Sequence, residues 1–499
     1  MCRAFLLALA AALPAVISAA QPYAKKPCGN LKGPALVCKL ADAQIPGRIS
    51  YPDSTTYNSS VTSYYSDQER ELNPCCIFRP TTTSEVSQFV KLVAANKCTQ
   101  FAIRGGGHTL WTGAANIDGG ITVDMRAMNG VVLSDDQKVA QLGPGGIFSE
   151  IYPQLVPYNL TVMGGRVPGI GVGGFLAGGG ITFLSRRHGF SCDNIYGYEV
   201  VLGSGKVIYV TESSYPDLWL ALKGGSNNFG IITRFDVATF PLDKMWYSLL
   251  AYNYTDSVLQ AHAEAFSSFM DPANYDSAAM NGIFLNYAGG AFSVAHSMWY
   301  IDNVASPAVY DAFTEIPNLG GVSELTTVDD VVNTFGGSIP AATNRAFQLT
   351  FSFQNPNASV YMELFKTWEN GISPIADVEG IFVMFLTQPM PVTNGTNMFG
   401  LTAGKTDYVL IDMTVAYDNE SDDTLVQGAI TDIVNRQQAL LKSYGLLVDF
   451  IYLNYADISQ DVLNSWGDDA LAKLQAVSKK YDPKRMFQKL VPGGYKLFK

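Results

Sequence analysis

The chain of 499 residues is 47% hydrophobic and only 15% charged, which excludes disorder and predicts two or more subdomains. Lys and Arg total 33 against 44 Asp and Glu, a net charge of −11 with no basic patch, so nucleic acid is not an expected partner. Of 46 glycines, 26 lie between Gly105 and Gly230 without a G-x-y period, so collagen is excluded and another need for bare backbone must exist.

Residues 1–20 combine basic Arg3, an apolar run from Phe5 to Ile17 and small residues Ser18 and Ala20. That is the pattern of a secretory signal peptide, too short for a membrane span, with a mature chain expected to begin near Gln21. Nothing later reaches 18 uninterrupted apolar residues, so no membrane span is expected. Cys28, Cys38, Cys75, Cys76, Cys98 and Cys192 follow, and their crowding before residue 100 predicts disulfides in an oxidising compartment. Fifteen pairings exist, and the vicinal Cys75–Cys76 ring is the disfavoured one. Six N-x-S/T sequons begin at Asn58, Asn159, Asn253, Asn357, Asn394 and Asn419, which agrees with a secreted glycoprotein.

A polar arm rich in Pro, Ser and Tyr runs to residue 73. Thr82 and Glu85 then have capping-box spacing, and Val86, Phe89, Val90 and Val93 form the apolar face of a helix. Residues 100–104 read as a short buried strand entering Gly105-Gly-Gly-His. Further strands are expected at 121–124, 206–210 and 231–235, with a short helix over 217–223 ending at Gly224. Past Pro241 longer strands are expected at 292–301, 346–353, 381–386 and 408–413. Helical patterns at 257–270, 361–368 and 424–441 lie among them, which reads as a second, sheet-based α+β domain. A last helix opens at Asp468-Asp469 and stops at Asp482-Pro483.

The histidines His108, His188, His262 and His296 are scattered without metal-ligand spacing, so no metal site is expected. No G-x-S-x-G elbow occurs, and Gly404-Lys405-Thr406 lacks the upstream glycine of a P-loop. Gly169-Ile-Gly171-Val-Gly-Gly174 satisfies G-x-G-x-x-G. Pro168 precedes it and Gly178-Gly-Gly180 follows, so the strand and helix of a dinucleotide-binding crossover are not expected. Two dense glycine clusters remain, Arg104-Gly-Gly-Gly-His108 and Gly164–Gly180. Glycines at that density let successive backbone N–H groups converge on an anion such as a diphosphate, with no lysine required.

Residues 101–124 (FAIRGGGHTLWTGAANIDGGITVD) resemble the flavin-attachment region of FAD-linked oxidases of the vanillyl-alcohol-oxidase, or PCMH-type, fold. Residues 165–194, 221–233 (ALKGGSNNFGIIT), 452–457 (YLNYAD) and 481–497 are collinear with the same family, in its berberine-bridge-enzyme-like branch. Secreted fungal members look most similar. The resemblance implies an α+β fold. Residues 71–242 would be the FAD-binding domain after an arm at 21–70, and 243–445 an inserted substrate domain with an antiparallel sheet covered by helices. Residues 446–499 would return to the flavin.

By the same resemblance, His108 would carry a covalent bond to the flavin 8α position. Gly105, Gly106, Gly107 and Thr109 would hold the diphosphate together with Gly173, Gly174 and Gly178, Arg104 would be a further cofactor-binding residue, and Asp193, Asn194 and Ile232 would border the cofactor. Bicovalent members have a cysteine where this chain has Val167, so a single link through His108 is expected. Ile170 takes the position bordering the oxygen-facing side of the flavin, where a larger side chain hinders oxygen.

Oxidation of an alcohol or activated C–H requires hydride departure to the flavin N5 atom and a base for the proton. Read as a strand, Tyr452-Leu-Asn454-Tyr455 puts Tyr452 and Asn454 on one face and Tyr455 on the other. The family uses a tyrosine here or a carboxylate from the substrate-domain sheet. Tyr452 is the expected base with Tyr455 second, each needing a positive charge or donors to lower a phenol that titrates near about 10. Asn454 would be a cofactor-side partner and Gln388 a polar lining residue, while no carboxylate on the substrate-domain strands stands out. The expected function is a secreted FAD-dependent oxidoreductase acting on a small organic molecule in fungal secondary metabolism, with O2 or another acceptor re-oxidising the flavin. The rivals are a carbohydrate oxidase yielding a lactone and H2O2, and a flavin-containing cyclase or binding protein without net redox turnover.

Overall fold

The computed structural model describes residues 33–337 and 343–498; the signal-peptide segment, Cys28 and the first residues of the arm lie outside them. The arm is less irregular than its composition predicts. It holds helices Pro34–Gln44, Thr55–Val61 and Asp67–Arg70, because Tyr57 and Tyr64 are buried rather than solvated. The expected capping box forms, with Thr82 and Glu85 closing the first turn of helix Thr83–Ala95.

Three sheets organise the described chain. A four-stranded sheet, ordered Ile49–Ser50, Cys76–Phe78, Ile121–Asp124 and Phe101–Arg104, is parallel across its last three strands. A mixed-length antiparallel sheet is built around the strand Ile231–Pro241, flanked by Val139–Leu142 and Ile195–Val201. The third sheet has eight antiparallel strands between Met245 and Val448, with Phe382–Pro389, Tyr408–Tyr417 and Arg345–Gln354 adjacent. The Ala279–Ala288 and Ala291–Tyr300 hairpin of this sheet turns at Gly289-Gly290, both at positive φ, as a two-residue hairpin requires. The first of these strands escapes the sequence reading, since Asn281, Gly282 and Asn286 interrupt its apolar run.

Side-chain alternation on the third sheet divides its two faces. Val409, Ile411, Met413 and Val415 join Phe347, Leu349, Val383 and Phe385 in a core under helices Asp256–Phe269, Ala358–Gly371 and Asp423–Ser443. The intervening residues Asp412, Thr414, Gln348 and Met384 therefore point the other way, into a cavity. A one-residue slip in register would bury the carboxylate under the helices, so the apolar face fixes where the polar face lies.

Cys38 and Cys76 form a disulfide and Cys75 is disulfide-bonded as well, so the vicinal pair does not close on itself. Cys98 is an exposed free thiol and Cys192 a buried one. Among the described residues no helix is long and apolar enough to cross a membrane, and no group of three or more His, Cys, Asp or Glu is placed to hold a metal ion.

Candidate active site

A cavity of about 430 Å³ opens where the two glycine clusters, the polar face of the eight-stranded sheet and the C-terminal segment meet. The first cluster follows strand Phe101–Arg104 directly, so its backbone leaves the sheet at a fixed height. Gly105, Gly106, Gly107, His108 and Thr109 all line the cavity, as do Gly173 and Gly174 from the second cluster. The clusters touch: a Cβ on Gly106 would stand 2.7 Å from both the N and the Cα of Gly171. A Cβ on Gly174, in contrast, would meet nothing within 4 Å. Glycine is needed at the first pair for backbone contact, whereas at Gly174 its bareness leaves the cavity floor open.

The glycine run does contain a helix, contrary to the sequence reading. Val172–Ala177 makes six helical residues before ending at Gly178. The strand before it, Leu160–Val162, pairs antiparallel with Ile231–Pro241, so the parallel crossover of a dinucleotide-binding unit is still absent.

His108 stacks against Tyr65 with ring centroids 4.1 Å apart. Burial pushes its imidazole down to about 4, so the ring is neutral at ordinary pH and keeps a nitrogen lone pair. Asp412, 5% exposed, also lines the cavity, and its Oδ1 accepts from Gln348 Nε2 and Thr414 Oγ1, both at 2.8 Å. Its Oδ2 accepts no protein hydrogen bond among the described residues, yet is not among the sealed orphan atoms, so it opens on the cavity. Desolvation raises the Asp412 carboxyl to about 6 against the two hydrogen bonds and the charge of Arg166.

The segment Tyr452–Tyr455 corrects the strand expected there. Leu453–Tyr455 is a 3-10 turn, and with about three residues per turn Tyr452 and Tyr455 fall on the same side, ring centroids 5.0 Å apart. Both line the cavity together with Asn454. The Tyr452 hydroxyl accepts from Gly180 N at 2.9 Å and Asn454 Nδ2 at 3.1 Å, but burial at 1% exposure still drives its phenol far above the usual value. That is the wrong direction for the expected base. The Tyr455 hydroxyl instead accepts from the cationic Arg166 Nη2 at 2.9 Å.

Ile170 and Ile232 also line the cavity. Four residues expected to bind or border the cofactor are not among those lining the cavity. Arg104 turns beneath Gly107, donating to Ser60 O and to Ser63 O at 2.8 Å and stacking 3.7 Å from the Tyr64 ring. Asp193 accepts from Phe190 N, Thr393 Oγ1 and Asn397 Nδ2, which ties its turn to residues 393–397. Asn194 donates to His188 O at 2.7 Å, and Gly178 backs onto the Asn454 amide. The polar groups of Arg104, Asp193 and Asn194 are consumed in holding loops. Gln388 stands one layer back, accepting from Arg166 Nη2 at 2.8 Å. The residues that sequence reasoning missed are Asp412, Arg166 and Gln348.

The FAD binding domain family matches residues 74–211. Over 486 residues the chain is 31% identical to FAD-dependent monooxygenase tpcD of Cochliobolus heterostrophus, covering 94% of this chain and 93% of the relative. It is 33% identical over 478 residues to FAD-dependent monooxygenase sdcF of Emericella nidulans, covering 93% and 98%. The chain belongs with these FAD-dependent monooxygenases, as an FAD-linked oxidoreductase with a PCMH-type fold. Its fold also matches 6-hydroxy-D-nicotine oxidase of Arthrobacter nicotinovorans, with TM-score 0.73 at 20% identity over 89% of this chain and 97% of the other. The glucooligosaccharide oxidase of Acremonium strictum matches with TM-score 0.73 at 18% identity over 92% and 99%.

The cavity fits the cofactor of this oxidoreductase. The bare floor at Gly174 and the N–H groups of Gly105, Gly106 and Gly107 suit a diphosphate, which their lack of side chains lets approach. His108, Asn454 and Tyr452 supply ring-edge and hydrogen-bonding groups above that floor. If the contact between the two clusters sets the cradle, Gly106→Ala should cost about 1–3 kcal/mol of stability and most of the bound FAD. Melting temperature and flavin-to-protein ratio check this, and unchanged values for both would remove the constraint.

Proposed function

We propose that this oxidoreductase is secreted and oxidises a small, flat, largely apolar molecule at an alcohol or activated C–H carbon, with Asp412 receiving the proton. The observation that carries the reading is the free Oδ2 of a buried carboxylate brought to about 6, open to the same cavity that His108 lines. Bound FAD would supply the acceptor for the departing hydride, to be re-oxidised by O2 or another acceptor. Gln348 and Thr414 hold one carboxylate oxygen and so orient the other toward the substrate. Arg166 orients Tyr455, which stands ready to hydrogen-bond the same substrate oxygen.

The cavity wall beside these groups is apolar, with Phe284, Phe335, Phe382, Met384 and Leu386. Such a wall favours a planar carbon skeleton over an oligosaccharide, and Val167 in place of a linking cysteine points the same way. Fungal relatives support a place in secondary metabolism, among them one named bifunctional solanapyrone synthase, from Alternaria solani, 29% identical over 478 residues. A single covalent link from neutral His108 to the flavin is part of the reading. Secretion is supported by the pattern of residues 1–20 and by the Cys38–Cys76 disulfide.

Asp412→Asn should slow anaerobic flavin reduction by about 10²–10⁴-fold. Since the ionised carboxylate is the base, the wild-type rate should rise with pH through about 6, a limb the variant lacks. Stopped-flow bleaching reads both, and an unimpaired Asp412→Asn sinks the assignment. Substrate turned over without any bleaching would favour the non-redox rival instead. After acid denaturation the wild-type protein should retain yellow flavin on the polypeptide, and His108→Ala should release all of it. Protein collected from culture medium should begin near Gln21 by N-terminal sequencing; retention in the cell would contradict secretion.

A further inference from the structure

Arg166 lines the cavity at 9% exposure, and both its hydrogen-bond partners, Gln388 and Tyr455, are neutral side chains. Those two bonds use the two hydrogens of Nη2. The Nε–H and the two N–H groups of Nη1 have no protein acceptor among the described residues. They are also not among the orphan atoms sealed from solvent, so they open on the cavity. A guanidinium stays protonated in proteins, and a largely buried cation without a counter-charge is costly. Asp412 feels the charge of Arg166, but the two form no ion pair within 4.0 Å among the described residues. The planar face of Arg166 meanwhile lies 5.3 Å from the Trp299 ring, and Trp299 packs on Phe335 of the apolar wall. The free donors therefore sit at the border between that wall and the proton-accepting carboxylate.

We propose that Arg166 is the specificity-determining residue of this cavity. The substrate it selects is a planar, largely apolar molecule with an anionic oxygen on an sp2 carbon, as in a carboxylate, a phenolate or an enolate. This identifies the substrate class of the oxidation site proposed above and rests on that reading. The anionic oxygen would take the free Nη1 and Nε donors, completing the charge balance that the protein leaves open. The carbon skeleton would lie along Phe284, Phe335 and Leu386, while the Arg166–Tyr455 bond fixes the guanidinium in plane. A neutral molecule of the same shape would strand those donors without partners, which is a strong basis for discrimination.

The test is a calorimetric titration of the FAD-loaded protein with matched pairs of probes, benzoate against benzamide and 4-nitrophenolate against 4-nitroanisole. In the wild type at least one anion should bind about tenfold or more tightly than its neutral partner. Preference confined to benzoate identifies a carboxylate, and preference confined to 4-nitrophenolate identifies a phenolate or enolate. Arg166→Gln should bring the anion-to-neutral ratio close to one, while Arg166→Lys should keep part of it. Equal binding within both pairs in the wild type overturns the proposal, as does a preference that survives in Arg166→Gln. The wild-type ratio needs no variant to fold and no turnover. It therefore fails independently of the Asp412 assignment, whose failure is an Asp412→Asn protein that still bleaches at the wild-type rate.

Discussion

Contact between the Gly106 and Gly171 backbones joins two parts of the chain that belong to different sheets. One glycine cluster leaves the parallel sheet at Arg104, and the other opens the short helix before Gly178. Neither has side chains to interlock, so the two are registered by direct backbone contact and by the residues behind them. Arg104 clamps the first cluster from below through Ser60, Ser63 and Tyr64. Pro144 O supports the second by accepting from Gly173 N at 3.1 Å. A loop this bare would otherwise be mobile, because glycine has the most conformational freedom to lose. Arg104 and the groups it binds form the framework that offsets this entropy.

Once the cradle is fixed, the eight-stranded sheet decides what faces it. Its helix-covered side is a continuous apolar core, and that core leaves no freedom in the register of Tyr408–Tyr417. Asp412 and Thr414 are then committed to the cavity side, with Gln348 beside them on the paired strand. The C-terminal segment closes the opposite rim. Tyr495 and Gly494 line the cavity, Asn228 donates to Tyr495 O, and Trp111 meets the Tyr495 ring at 6.0 Å. The site is thus assembled from segments more than three hundred residues apart in sequence, each anchored in its own layer.

Much of this was legible in the chain. The glycine clusters, His108, the capped helix at Thr83 and four of the eight described strands past Pro241 follow from spacing and periodicity alone. Asp412 was also legible in principle. Val409, Ile411, Met413 and Val415 alternate with Leu410, Asp412, Thr414 and Ala416, and a polar residue opposite such a stripe faces something other than the core. What hid it was Leu410, which makes the first half of the strand read as uniformly apolar. Arg166 was hidden for a different reason. In the linear chain it is one more cation inside a glycine run, and only the tertiary fold shows that no carboxylate among the described residues comes to meet it. The turn at Leu453–Tyr455 likewise depends on packing, since the four residues alternate well enough to imitate a strand.

The charge arrangement also shows where function runs against stability. Asp412 titrates near 4 as an ordinary carboxyl and near 6 in the fold, so the native state favours its protonated form. The corresponding stability is present below pH 4 and lost as pH rises through 6, a loss of order about 3 kcal/mol. Above pH 6 the fold therefore maintains an unfavourable carboxylate in the cavity. Arg166 offsets part of that cost through its field, yet a direct ion pair would consume both the base and the free donors. Keeping the two apart preserves an acceptor for a proton and a set of donors for an anion in one enclosed space. A substrate bringing an acidic oxygen would answer both needs at once, and the resulting gain in pairing is the binding energy that an empty cavity withholds.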